Sequence, residues 1–164
     1  MTDFLSPQPA GIPVPRPTLV SRPFWEGCLR GELLFQRCKD CGNANFAPAV
    51  ACRGCLSSSL AWTPSSGRGN VYSWTVVWRP QTPDFTVPYA PAIIDLDEGY
   101  QMLTNIVGCT TGDLRSGLAV AVQFVSLSPG IALPYFRPLD AGKVSAGDSR
   151  GGDSQSAQET RDER

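Results

Sequence analysis

The sequence predicts a mainly β protein: a short N-terminal helix and a zinc ribbon, followed by a five-stranded barrel of the OB type. Three observations lead there. Four cysteines stand in two pairs, Cys38-Lys39-Asp40-Cys41 and Cys52-Arg53-Gly54-Cys55, with ten residues between the pairs. A strict alternation begins at Val71, and four more short apolar runs follow it before residue 138. The chain also carries 15 prolines and 16 glycines with 41% hydrophobic residues, a loop-rich composition. Cysteines two residues apart offer two sulfurs from one tight turn, and two such turns supply the four tetrahedral thiolates that Zn²⁺ prefers. Iron takes the same four thiolates. Such a site is closed: it has no open position for water or substrate, so it builds structure rather than catalysing.

At 164 residues the chain suffices for one ordinary domain or two very small ones sharing a core. Metal-binding cysteines, rather than disulfides, imply a reducing compartment. Residues 1–17 lack the basic and apolar regions of a signal peptide, and no apolar run approaches the roughly 20 residues of a membrane span. A soluble cytoplasmic protein is the expectation. The net charge is −1; up to Leu139 the chain holds 10 Lys+Arg against 9 Asp+Glu, and beyond it 4 against 6. That balance lacks the basic footprint of a nucleic-acid binder. There is no histidine, which removes the commonest general base and the usual activators of serine and cysteine nucleophiles.

Taken in order, residues 1–21 hold five prolines (Pro7, Pro9, Pro13, Pro15, Pro17) and read as an extended arm, either disordered or laid over a partner. Ser21 is placed to cap a helix, Pro23 suits its first turn, and Gly31 ends it. Phe24, Trp25, Cys28 and Leu29 share one face of that helix. Strands at residues 33–37, 46–50 and 59–62 complete a ribbon unit spanning residues 22–64, too small to fold on apolar burial alone. Residues 65–69, Ser-Ser-Gly-Arg-Gly, form a turn into a barrel domain at 65–138. Its strands fall at 71–78, 92–96, 101–107, 119–125 and 133–137, with a hairpin at Asp97-Glu98-Gly99. Tyr72, Trp74, Val76 and Trp78 lie on one side of the first strand, which the barrel interior demands. Residues 139–164 are polar and expected to be disordered.

This order resembles a known family. Its marks here are Pro23-Phe24-Trp25, Gly31-Glu32-Leu33, Arg37-Cys38, Ser66-Gly67-Arg68-Gly69, Val71-Tyr72-Ser73, Asp97-Glu98-Gly99 and Pro134-Tyr135-Phe136-Arg137-Pro138. The chain is similar to bacterial and archaeal proteins that join a rubredoxin-like zinc ribbon to an OB fold and work with acyl-CoA. The match runs from about residue 22 to 138, with one departure: Leu56 stands where a glycine often follows the second knuckle. The resemblance implies an accessory, non-catalytic subunit of a thiolase-like or aldolase enzyme in lipid or steroid side-chain metabolism. Such a subunit binds acyl-CoA or scaffolds a partner that carries the reacting groups, and the assembly is a hetero-oligomer.

By their spacing the metal ligands are Cys38, Cys41, Cys52 and Cys55. Arg37, Arg53 and Arg68 are candidates for the phosphates of CoA, against the ordinary reading of solvated surface charge. Lys39 belongs to the same basic group. Phe24 and Trp25 either line an acyl channel or partner groove, or dock the helix on the ribbon. Cys28 and Cys109 read as small buried hydrophobes. Asp95, Asp97 and Glu98 read as ordinary turn carboxylates with no acid/base role. Two other functions compete: a single-stranded nucleic-acid module, since ribbons and OB folds both serve there, and a stand-alone acyl-CoA-processing enzyme.

Overall fold

The computed structural model describes residues 3–139, so the polar stretch from residue 140 onward lies outside the described residues. Helix α1 (Arg22–Arg30) has proline in its first turn and stops at Gly31, whose φ of 77° presents its N–H to the Cys28 carbonyl at 3.2 Å. Ser21 precedes it but gives no side-chain cap; its hydroxyl instead accepts from the Thr18 N–H at 2.9 Å. The buried face is Phe24, Gly27 and Cys28, while Leu29 is exposed, contrary to its expected place on the apolar face. The cause is Gly27. A Cβ there would run into the Leu34 side chain, so the helix approaches the ribbon along the 24/27/28 seam and turns Leu29 outward.

The ribbon is a three-stranded antiparallel sheet in the order β2-β1-β3, from β1 (Leu34–Cys38), β2 (Ala44–Asn45) and β3 (Leu60–Pro64). Residues 46–50, expected as a strand, are not one. The buried Gln36 side chain takes over the pairing, donating to the Ala49 carbonyl at 3.1 Å and accepting from the Ala49 N–H at 2.8 Å. One amide thus satisfies both backbone groups of Ala49 where no ladder exists.

The barrel is closed in the order β4-β5-β6-β8-β7, built from β4 (Arg68–Trp74), β5 (Ala90–Leu96), β6 (Gln101–Ile106), β7 (Ala119–Ser128) and β8 (Ile131–Pro138). Its interior holds Val71, Ile94, Leu96, Met102, Ile106, Val120 and Phe136. The mainly β class, the ribbon and the five-stranded OB barrel therefore stand as the sequence predicts. The facing of β4 does not. Tyr72, Trp74 and Trp78 are 57%, 37% and 53% exposed, whereas Val71 is buried. The register against β5 slips between Val71 and Ser73, so Tyr72 is an extra residue in the pairing and the alternation breaks there. The strand also ends at Trp74, leaving Trp78 in the following loop.

Ribbon and barrel share one core. Tyr100, just after the β5–β6 turn, stacks on Phe35 at 5.0 Å and on Phe46 at 5.4 Å between ring centroids. From the same turn, Glu98 accepts hydrogen bonds from the Ser65 hydroxyl at 2.7 Å and from the Ser66 N–H. Glu98 is therefore not an ordinary solvated turn residue: it fastens the hairpin to the segment leaving the ribbon. Burial favours its protonated form, but the Ser66 N–H and the Ser65 hydroxyl outweigh this and hold the carboxyl below its usual range.

The proline-rich arm lies against the chain's own barrel. Leu5 exchanges backbone hydrogen bonds of 2.8 Å with Cys109 and Gly108, and its side chain is wholly buried in the main core. Gln8 clamps the loop before β5, accepting from the Thr86 N–H at 2.9 Å and donating to the Thr86 carbonyl at 3.0 Å. Ile12 packs with Leu127 and Ile131 of the β7–β8 hairpin. The arm is extended, as its prolines require, but a leucine, a glutamine and an isoleucine spaced along it give it a place on the barrel surface.

Candidate metal centre and adjoining groove

The two knuckles bring Cys38, Cys41, Cys52 and Cys55 together, with all four Sγ atoms within 4.8 Å of one another. The Cys38–Cys55 and Cys41–Cys52 separations are 3.6 Å each. Four sulfurs at about 2.3 Å from a tetrahedral zinc stand about 3.8 Å apart, so the arrangement fits the ion. The knuckles are geometric copies. Gly42 donates its N–H to the Cys38 carbonyl at 3.0 Å, and Leu56 donates to the Cys52 carbonyl at 3.0 Å. Both adopt positive φ, 75° for Gly42 and 61° for Leu56.

Backbone donors tune the thiols. Burial opposes ionisation of Cys52, but the backbone N–H groups of Cys55 and Gly54 overcome it and bring the thiol down to about 6. The Ser57 N–H favours a Cys55 thiolate, yet the crowding thiols, Cys41 first, push Cys55 up to about 12. Each ionisation thus opposes the next, and a divalent cation at the centre removes that opposition. The centre also rests on Asn45, whose buried side chain accepts from the Arg53 N–H at 2.9 Å. Ser57 donates to Asp40, joining the second knuckle to the first.

Beside the ribbon runs an apolar groove of about 430 Å³, walled by α1, residues 46–48 and the facing parts of β6 and β8. Phe24 and Trp25 both line it. Phe24, at 5% exposure, is wedged edge-on between Trp25 and Phe46, at 5.0 and 5.5 Å, and forms the floor. Trp25 stands higher, half-buried. Other wall residues, among them Phe46, Leu103, Leu133 and Asn105, are not among the sequence candidates. One signal was available: Met102 and Leu103 are adjacent in a strand, so one of them must face outward, and Leu103 is 72% exposed. Among the described residues the Oδ1 atom of Asn105 is buried with no hydrogen-bond partner.

The three arginines are not gathered at this groove; none is among its walls. The Arg37 guanidinium lies over the Phe35 ring, 4.9 Å from its centroid, and donates to the Gly42 carbonyl at 2.9 Å, closing the first knuckle. Arg53 is exposed on the second knuckle, and Arg68 is exposed at the start of β4. The glycines flanking Arg68 serve the barrel. A Cβ at Gly69 would overlap the Asp95 carbonyl of β5, and one at Gly67 would overlap Val122 of β7. Cys28 and Cys109 are buried, and burial pushes their thiols up to about 12 and about 11, which suits neither to nucleophilic work.

A four-thiolate ribbon fused through a shared aromatic core to a closed five-stranded barrel defines a zinc-ribbon/OB-fold protein. Residues 25–61 match the profile of the ChsH2 rubredoxin-like zinc ribbon domain, and residues 62–125 that of the ChsH2 C-terminal OB-fold domain. The chain belongs to this ChsH2-type, DUF35 family of ribbon/OB proteins. It is 34% identical to a DUF35 domain-containing scaffold protein of Methanocaldococcus jannaschii, over 56% of this chain and 67% of that one. It is 33% identical to a probable enoyl-CoA hydratase alpha subunit of Thermomonospora curvata, over 76% of this chain but only 40% of the relative. A 3-oxo-4,17-pregnadiene-20-carboxyl-CoA hydratase alpha subunit of Mycobacterium tuberculosis is 33% identical over 62% of this chain and 32% of its own length. The chain thus spans less than half of those two relatives. A chain of the solved structure titled Ltp2-ChsH2(DUF35) aldolase superposes with a TM-score of 0.70 at 30% identity, covering 76% of this chain and 98% of that one. Among the described residues no helix is long and apolar enough to cross a membrane.

Proposed function

We propose that this chain is a non-catalytic subunit of an enzyme complex acting on acyl-CoA esters, docking a thiolase-like or aldolase partner through its ribbon and barrel. The observation that carries the reading is the likeness, across nearly the full length of the matched chain, to a ribbon/OB chain in a structure titled as an aldolase complex. The names of the hydratase and scaffold relatives point the same way. In this reading the groove beside α1 takes an apolar part of the acyl-CoA. Trp25 and Leu103 supply contact area there. Zinc supplies folding energy to the ribbon and no reaction step. Chemistry resides in the partner.

The test is co-expression with a thiolase-like aldolase from the same genome, with a tag on one chain only. The pair should co-elute at fixed stoichiometry, and acyl-CoA esters should raise the melting temperature of the complex. Separate elution together with an unmoved melting curve contradicts the reading.

A second reading has one observation in its favour. Tyr72, Trp74 and Trp78 are exposed on an OB barrel, which is how single-strand binders present stacking platforms. The near-neutral charge of the body argues against it. Salt-sensitive binding of single-stranded oligonucleotides, lost on changing Trp78, would favour this alternative.

A further inference from the structure

Leu56 is held in a backbone conformation that its side chain opposes, and that side chain is spread into solvent. Its φ is 61°, in the region where a Cβ crowds the neighbouring carbonyl. The first knuckle makes the same turn and the same hydrogen bond with Gly42, which adopts that conformation freely. The second knuckle therefore has an unstrained solution, and this chain does not use it. Burial does not compensate, because Leu56 is 81% exposed. Val50, at the entry to the same loop, is 75% exposed. Between them Arg53 is exposed, and Lys39 is exposed on the adjoining knuckle, while Asp40 is engaged by Ser57. Two aliphatic side chains thus project from the loop that carries Cys52 and Cys55, beside two cations that make no ion pair among the described residues.

Strain together with exposure at one residue points to contact with another molecule. We propose that the second zinc knuckle is an anchor for a partner protein: Leu56 enters an apolar pocket on the partner, with carboxylates around the pocket facing Arg53 and Lys39. The clamped loop presents Leu56 with its backbone already fixed, so little ordering remains to be done on binding. The proposal rests on the subunit reading above and names where the thiolase-like partner sits. It also separates two faces of the ribbon unit: the groove beside α1 for ligand, and the knuckle for protein.

The test uses the full chain co-purified with the thiolase-like aldolase, comparing the unsubstituted chain with Leu56→Gly and Leu56→Asn. Both replacements tolerate positive φ, so both should keep full metal content and a melting temperature equal to or above that of the unsubstituted chain. Each should weaken association with the partner at least tenfold. Arg53→Glu should weaken it further as salt is lowered, since like charges then face each other. Association unchanged within twofold in both Leu56 variants overturns this proposal and leaves the subunit reading standing. A loss of metal or of melting temperature in both also overturns it, by showing that Leu56 serves the ribbon itself. If the unsubstituted chain fails to associate, the subunit reading falls and this proposal with it. Sedimentation of the chain alone covers the remaining occupant: a self-dimer that Leu56→Gly dissolves assigns the knuckle to a second copy and overturns the partner assignment.

Discussion

Single residues hold the two parts of this molecule together, and Glu98 is the clearest. Its carboxylate satisfies the Ser66 N–H and the Ser65 hydroxyl across the junction. Glu98→Ala should cost about 1 kcal/mol in urea unfolding at pH 7, because two hydrogen bonds to a charged group are lost at a partly exposed junction where water can replace them. The folded carboxyl titrates below the ordinary 4.5, so its stabilisation is complete above that value and is lost as pH falls through the folded one. The stability gap between Glu98→Gln and the unsubstituted chain should therefore narrow on acidification to pH 3. A gap independent of pH would refute the assignment. The cysteine ligands were legible in the sequence because a metal knuckle is local: spacing alone determines it. Glu98 was not, since its partners lie about thirty residues away and only the fold brings them close. Tyr72 was misread for a related reason. A bulge is set by the facing strand, and no period-two pattern within β4 announces it.

Among the elements, the arm and α1 differ most from what composition suggests. Five prolines predict an extended course, and the arm is extended, yet proline content is silent on what it packs against. Leu5 gives the answer by filling the main core. Leu5→Ala should destabilise the chain by about 2–5 kcal/mol, the range for a buried leucine leaving a cavity. An effect below about 0.5 kcal/mol would mean that the arm does not hold its place. For α1, the helix itself was readable from Pro23, the apolar spacing and Gly31, but its exact facing depended on the Gly27–Leu34 contact. The groove it walls was only half visible from sequence. Phe24 and Trp25 are neighbours in the chain, whereas Phe46, Leu103 and Leu133 converge from separate elements. Trp25→Ala should leave the fold intact and reduce any melting shift caused by acyl-CoA esters. An undiminished shift would move the ligand elsewhere.

At the scale of the whole molecule, ribbon and barrel are coupled through Tyr100 with Phe35 and Phe46. Metal loss should therefore not stop at the ribbon. Chelation should remove hydrogen-exchange protection from β1, β2 and β3 and also loosen the β5–β6 turn, where Tyr100 loses its stacking faces. Protection lost in the ribbon alone would show two independent units. Metal analysis of the purified chain should return one zinc, displaced in Cys38→Ser. The aggregate pattern of helix, knuckles and barrel strands was legible because each rests on local periodicity or spacing. The junction between them rests on contacts far apart in sequence, and for that reason only the structure shows it.

The proposed function has this chain supporting a reaction without performing it. Light scattering coupled to size exclusion, with acyl-CoA turnover assayed across the same fractions, tests it most directly. With a thiolase-like aldolase added, one hetero-oligomeric peak should carry all the activity, and the peak of this chain alone should carry none. Turnover by the isolated chain, or two peaks that never merge, would contradict it.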